Sequence, residues 1–137
     1  MKLLKATILI IFFGTVGANI SAQTSISGNI TTNTTWTTAG SPYVIVGSTT
    51  ITNGDTLSIE DGVEVKFDNG TQLTVSGALV GNGVTFTANT GTSRGAWNRI
   101  ITNFTTSWIH LRNSTLQFGT DAIYVGAGKV RLDTVTI

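Results

Sequence analysis

An eight-residue repeat between Thr49 and Val75 constrains the fold more than any other feature of this sequence. Apolar residues recur at two phases of the repeat, two positions apart, and a glycine after Asn or Asp recurs at a third. Side chains two apart lie on one face of a strand, and glycine readily adopts the positive φ of a tight corner. The repeat therefore predicts short strands of equal length that each send two side chains inward. The predicted inward positions are Thr49, Ile51, Leu57, Ile59, Val65, Phe67, Leu73 and Val75, and the corners are Gly54, Gly62 and Gly70.

A second repeat of 21 residues lies near the end of the chain. Residues 111–116 match residues 132–137, and Ile109 matches Val130. Three strands with their corners make a coil of roughly 24 residues, and repeats of this size are typical of solenoids. Together the two periods predict an all-β fold, a parallel β-helix with three short strands per coil and about four to five coils.

The same turns are compatible with a different all-β fold. Asn-Gly between alternating strands is also typical of β-hairpins, so an antiparallel β-sandwich or meander is the alternative. The uniform corner spacing, and its return at 21 residues, favour the parallel β-helix. The predicted strands are 43–46, 49–51, 56–59, 63–67, 72–75, 78–80, 84–87, 99–102, 108–111, 115–118, 122–125, 129–132 and a last one from 134, with a loop over 89–98.

The chain divides into three predicted segments. Residues 1–22 are typical of a secretory signal peptide, with Lys2 and Lys5 before an apolar run and a small residue, Ala22, at the cleavage position. Residues 23–42 are predicted to be a capping segment, and residues 43–137 to be the coils. We expect a secreted or outer-cell-surface protein. Because Ile137 falls within a predicted strand, we also expect the polypeptide to continue beyond it.

Composition excludes several kinds of site. The chain has no cysteine, so it has neither disulfides nor thiolate metal ligands. Without residues 1–22 it carries six cations and seven acids, a net charge of −1. Net charge therefore gives no reason to expect nucleic acid or an anionic membrane as a partner. We expect no cofactor and no membrane span after cleavage.

Residues 36–88, together with GAWNRI and STLQFGTDAIYV further on, resemble a known family. They are similar to the opening of large exported right-handed parallel β-helix proteins of the pectin-lyase-like type, which bacteria export by type IX secretion. The resemblance implies a fold and export more than an activity. Asn98 and Arg99 stand where that family usually has two glycines, so we expect a different corner there.

No catalytic constellation is evident from the residues. His110 is the only histidine, alternation points it outward, and it has no Ser or Cys partner at a recognisable spacing. The resemblance implies that lyases of this fold hold calcium on carboxylates near an arginine. Arg112 and Asp133 are predicted neighbours on adjacent coils, but Asp121 is the only other acid nearby and calcium needs six to eight oxygens. We therefore predict no catalytic residues and no metal site.

Two surface hypotheses remain. Trp97, Trp108 and Tyr124 could form an aromatic platform for sugar rings, with core or capping roles as the alternative. Thr-x-Thr segments raise ice binding as a remote alternative, although Lys66 interrupts the predicted outward row that also holds Thr50, Ser58 and Thr74.

These observations favour a non-catalytic secreted or cell-surface scaffold or adhesin that contacts polysaccharides or cell-surface glycans. The alternative is the N-terminal part of a polysaccharide lyase or glycoside hydrolase whose active coils lie further along the polypeptide.

Overall fold

The computed structural model describes residues 22–137. The predicted signal peptide lies outside the described residues except for Ala22. The described part is all-β, with one short 3-10 turn at Thr38–Gly40. Its strands are β1 (Thr24–Ile30), β2 (Thr34–Trp36), β3 (Tyr43–Ile51), β4 (Thr56–Ile59), β5 (Glu64–Phe67), β6 (Leu73–Val75), β7 (Ala78–Asn82), β8 (Thr85–Ala88), β9 (Ile100–Thr102), β10 (Trp108–Arg112), β11 (Thr115–Leu116), β12 (Ile123–Val125) and β13 (Lys129–Asp133).

The strands wind into a β-solenoid of about five coils with three sides. Every strand pairing of the described chain is parallel. This confirms the predicted coil and excludes the antiparallel sandwich or meander. The first side contains the beginnings of β1 and β3, then β5, β8 and β11; the second contains their ends, then β6, β9 and β12; the third contains β2, β4, β7, β10 and β13.

The predicted inward residues form the core. All eight are at most 5% exposed, and Phe67 and Leu73 are fully buried. The three corner glycines have positive φ, at 91° for Gly54, 81° for Gly62 and 74° for Gly70. Local alternation and corner chemistry were therefore sufficient to predict which side chains point inward.

The 21-residue repeat corresponds to the offset between paired residues of the fourth and fifth coils on the third side. Ile109 lies beside Val130 and Leu111 beside Leu132. Residues eight apart, in contrast, lie on successive sides of a three-sided coil and do not stack. The predicted outward row is therefore wrong: Thr50 pairs with Thr74 on the second side, whereas Ser58 pairs with Val80 on the third and Lys66 with Thr87 on the first.

The capping segment contributes a coil of its own. Its strand β1 pairs with β3, and its strand β2 pairs with β4, so residues 24–36 form the first turn of the solenoid. Trp36 is buried and stacks on Tyr43 with ring centroids 4.6 Å apart. The tryptophan thus covers the beginning of the core with a large apolar area.

The fourth coil is enlarged by the predicted loop between β8 and β9. Phe86 pairs with Leu116, thirty residues away, whereas other coils advance by about 21. The loop is fixed by Trp97, whose Nε1 donates to the carbonyl of Gln117 at 2.7 Å. Strand β11 ends at Leu116, two residues before the predicted end, because Phe118 adopts a φ of 66°.

Candidate functional site

The structure separates the three rings of the predicted aromatic platform. Trp97 is fully buried and stacks on Phe67, with centroids 4.1 Å apart, so its ring cannot contact a sugar. The platform prediction is wrong for this residue, and the core alternative is confirmed. Trp108 and Tyr124 are 40% and 47% exposed, but they lie on the third and second sides respectively. The three rings therefore form no common surface.

Strand β10 presents a ring and two polar side chains to solvent. Ile109 and Leu111 are fully buried, so alternation directs Trp108, His110 and Arg112 outward. The parallel register places Lys129 beside Trp108, Arg131 beside His110 and Asp133 beside Arg112. We call this outer surface the basic patch; its members are Trp108, His110, Arg112, Lys129, Arg131 and Asp133.

Asp133 organises the basic patch. Nε2 of His110 lies 3.0 Å from Oδ2 of Asp133, and Nε of Arg131 donates to the same oxygen at 2.9 Å. The hydrogen bond from His110 holds the pKa of Asp133 below its ordinary value, and Arg131 lowers it further, although burial opposes both. The His110 ring also lies against Trp108, at 5.5 Å between centroids. The histidine therefore connects the ring of the patch to its carboxylate.

The prediction that Arg112 and Asp133 are neighbours on adjacent coils is correct for the strand register but not for the side-chain contact. These residues lie side by side on β10 and β13. The carboxylate, however, contacts His110 and Arg131 rather than Arg112. His110 was correctly predicted to be on the outer surface, but sequence reasoning missed its bond to Asp133. Aligning β10 with β13 at the 21-residue offset would have placed Arg131 beside His110 and Lys129 beside Trp108.

The first and last parts of the described chain differ in net charge. Residues 22–90 contain five acids and one cation, a net charge of −4, whereas residues 91–137 contain five cations and two acids, a net charge of +3. The overall value of −1 conceals this separation. Three of the five cations of the second group lie in the basic patch.

Tyr124 lies in a different setting on the second side. The guanidinium of Arg99 lies 5.1 Å above its ring, and Arg99 also pairs with Asp121 at 3.2 Å. One face of this ring is therefore already covered by a cation. Trp108 is the better candidate for contact with a ligand.

Residues 22–137 show no group of three or more His, Cys, Asp or Glu side chains that could hold a metal ion. His110 contacts a carboxylate and a tryptophan, and neither is a nucleophile of the Ser or Cys type. Among the described residues, no helix has the length and apolarity needed to cross a membrane. Comparison with family models, with curated proteins and with solved structures gave no match to this chain.

Proposed function

We propose that this chain is a non-catalytic module of an exported protein, acting as a scaffold or adhesin that contacts glycans through Trp108. The observation that carries the proposal is the exposed Trp108 ring on the third side, beside hydrogen-bonding side chains. A flat aromatic face with polar neighbours suits the mixed apolar and hydroxyl surface of a sugar ring.

Export and family membership are part of this proposal. The signal-like residues 1–22 support export to the medium or the outer cell surface, and the solenoid fold agrees with the resemblance to pectin-lyase-like proteins. Recovery of the protein from the culture medium or the outer surface, with its N-terminus near Gln23, would support export. Recovery from the cytoplasm with Met1 intact would contradict it.

The glycan contact is tested with a panel of neutral and charged polysaccharides in affinity electrophoresis. We expect Trp108→Ala to weaken binding about two- to tenfold, since an aromatic contact contributes roughly 0.5–1.5 kcal/mol. Tyr124→Ala is the matched control, because it removes a ring of similar exposure from another side. Its affinity should stay that of the unsubstituted protein.

Two results would overturn the proposal. Absence of binding to every member of the panel would remove the glycan contact. Release of new reducing ends or unsaturated products from a polysaccharide would instead favour the lyase or hydrolase alternative.

A further inference from the structure

Two of the three cations of the basic patch, Arg112 and Lys129, differ from the other cations of residues 22–137 in having no dedicated partner. Elsewhere, Lys66 pairs with Glu64, Arg99 pairs with Asp121, and Arg94 donates to the carbonyl of Thr120. Within residues 22–137, neither Arg112 nor Lys129 has a carboxylate at ion-pair distance. These two charges are therefore available to a ligand.

The third cation of the patch is also accessible. Arg131 uses its Nε on Asp133, yet its side chain is 67% exposed. A guanidinium has five N–H donors, so the terminal nitrogens remain free to bind an anion. With three cations and one carboxylate, the basic patch carries a net charge of +2 apart from His110.

The sheet fixes the spacing of these charges. Lys129 and Arg131 are two positions apart on one strand, a separation of about 7 Å, and Arg112 is on the neighbouring strand, about 5 Å across. The three cations therefore lie within an area about 13 Å long and two strands wide. The outward strand residues at the corresponding positions in the second and third coils, Ser58, Ala78 and Val80, are uncharged.

We propose that the basic patch binds a sulfated polysaccharide. This inference rests on the proposed function and names its ligand class. Trp108 stacks on a sugar ring, while Arg112, Lys129 and Arg131 contact sulfate groups. So dense a group of cations favours a ligand with dense negative charge, and a sulfate ester offers three terminal oxygens to the guanidinium and ammonium donors.

The ligand class is tested with one polymer backbone in three forms: dextran, carboxymethyl dextran and dextran sulfate. We expect the purified chain to bind dextran sulfate at least tenfold more tightly than either of the other two. Binding should weaken with added salt, because exposed charges are screened within about 10 Å at 0.1 M.

The location is tested with two triple variants of equal charge change. Replacing Arg112, Lys129 and Arg131 by alanine should weaken binding to dextran sulfate about ten- to hundredfold. Replacing Lys66, Arg94 and Arg99 by alanine is the control, and it should cost about threefold or less. Circular dichroism checks that each variant folds, and the single changes Lys129→Ala and Lys66→Ala repeat the comparison if a triple variant does not.

The outcomes distinguish this inference from the proposed function. Equal binding of dextran and dextran sulfate, both dependent on Trp108, would keep the proposed function and overturn the inference. Equally tight binding of carboxymethyl dextran would overturn the choice of sulfate, and equal losses in the two triple variants would overturn the location. Single-stranded DNA bound as tightly through the same cations would overturn the choice of a sulfated polysaccharide as well. No binding to any polymer, in this series or the panel, would remove both proposals.

Discussion

The third and fifth coils place the same residue type at the same position with opposite results. Val75 and Val125 both pair with Thr102 on the second side, yet Val75 is fully buried and Val125 is 53% exposed. Leu111 and Leu132 on the third side show the same contrast, at 0% and 38%. In these two pairs the buried residue has a coil on each side, and the exposed residue belongs to the fifth coil, whose strands β12 and β13 each pair with one neighbour. Burial in this fold depends on neighbouring coils more than on residue type.

The outer surfaces of these two regions also differ. The second and third coils present small neutral side chains on the third side, including Ser58 and Ala78. The fourth and fifth coils present the basic patch at the corresponding outward positions of this side. The inward residues thus hold the coils together in every turn, whereas the outer residues are free to carry recognition chemistry in some turns only.

The largest expected effect tests the contrast in burial directly. Val75→Ala removes two methyl groups from a fully packed site, so we expect the free energy of unfolding to fall by about 2 kcal/mol. Val125→Ala removes the same atoms from an exposed site and should cost about 0.5 kcal/mol or less. Chemical denaturation of both variants measures the difference. Equal losses would mean that the fifth coil is packed as tightly as the third.

Substitutions at the corner glycines should destabilise the protein for a different reason. The loss of stability there comes from the backbone conformation and not from lost burial. Gly54 has a φ of 91°, and a Cβ added there would meet nothing within 4 Å, so Gly54→Ala should lower stability by about 1–2 kcal/mol through conformation alone. Gly47 lacks a positive φ, and an added Cβ would lie 3.4 Å from that of Ser27. Gly47→Ala should therefore change the denaturation midpoint little. A harmless Gly54→Ala would contradict a backbone requirement at the corners.

The sequence predicted those parts of the structure that depend on local patterns. Alternation identified Phe67 and Leu73 as inward residues, because a strand with one buried side repeats every two positions. Trp97 could not be assigned this way, since it lies in the inserted loop of the fourth coil, where no period applies. Its burial depends on Phe67 and on the carbonyl of Gln117, which come from other coils.

Contacts between coils could be predicted only where the spacing stayed regular. The 21-residue offset correctly placed Arg112 beside Asp133. It could not decide which side chain the carboxylate would contact, because His110 and Arg131 lie within reach as well. The loop of residues 89–98 increases the offset between the third and fourth coils to thirty residues on the third side. The pairing of Leu79 with Ile109 therefore could not be predicted from the 21-residue repeat.

The smallest expected effect concerns Asp133, which belongs both to the exposed fifth coil and to the basic patch. Asp133 belongs to the exposed fifth coil, yet its pKa is held below the ordinary 3.8, first by the hydrogen bond from His110 and then by Arg131. A lowered folded pKa means that the stabilising contribution is present above the unfolded pKa and is lost as the pH falls through the folded one. We expect a carboxyl titration followed by NMR to show Asp133 ionising below 3.8. His110→Ala should raise this pKa more than Arg131→Ala does, because the histidine bond is the larger cause. If neither change moved the titration, the bonds to Asp133 would not persist in solution, and the basic patch would have no fixed geometry.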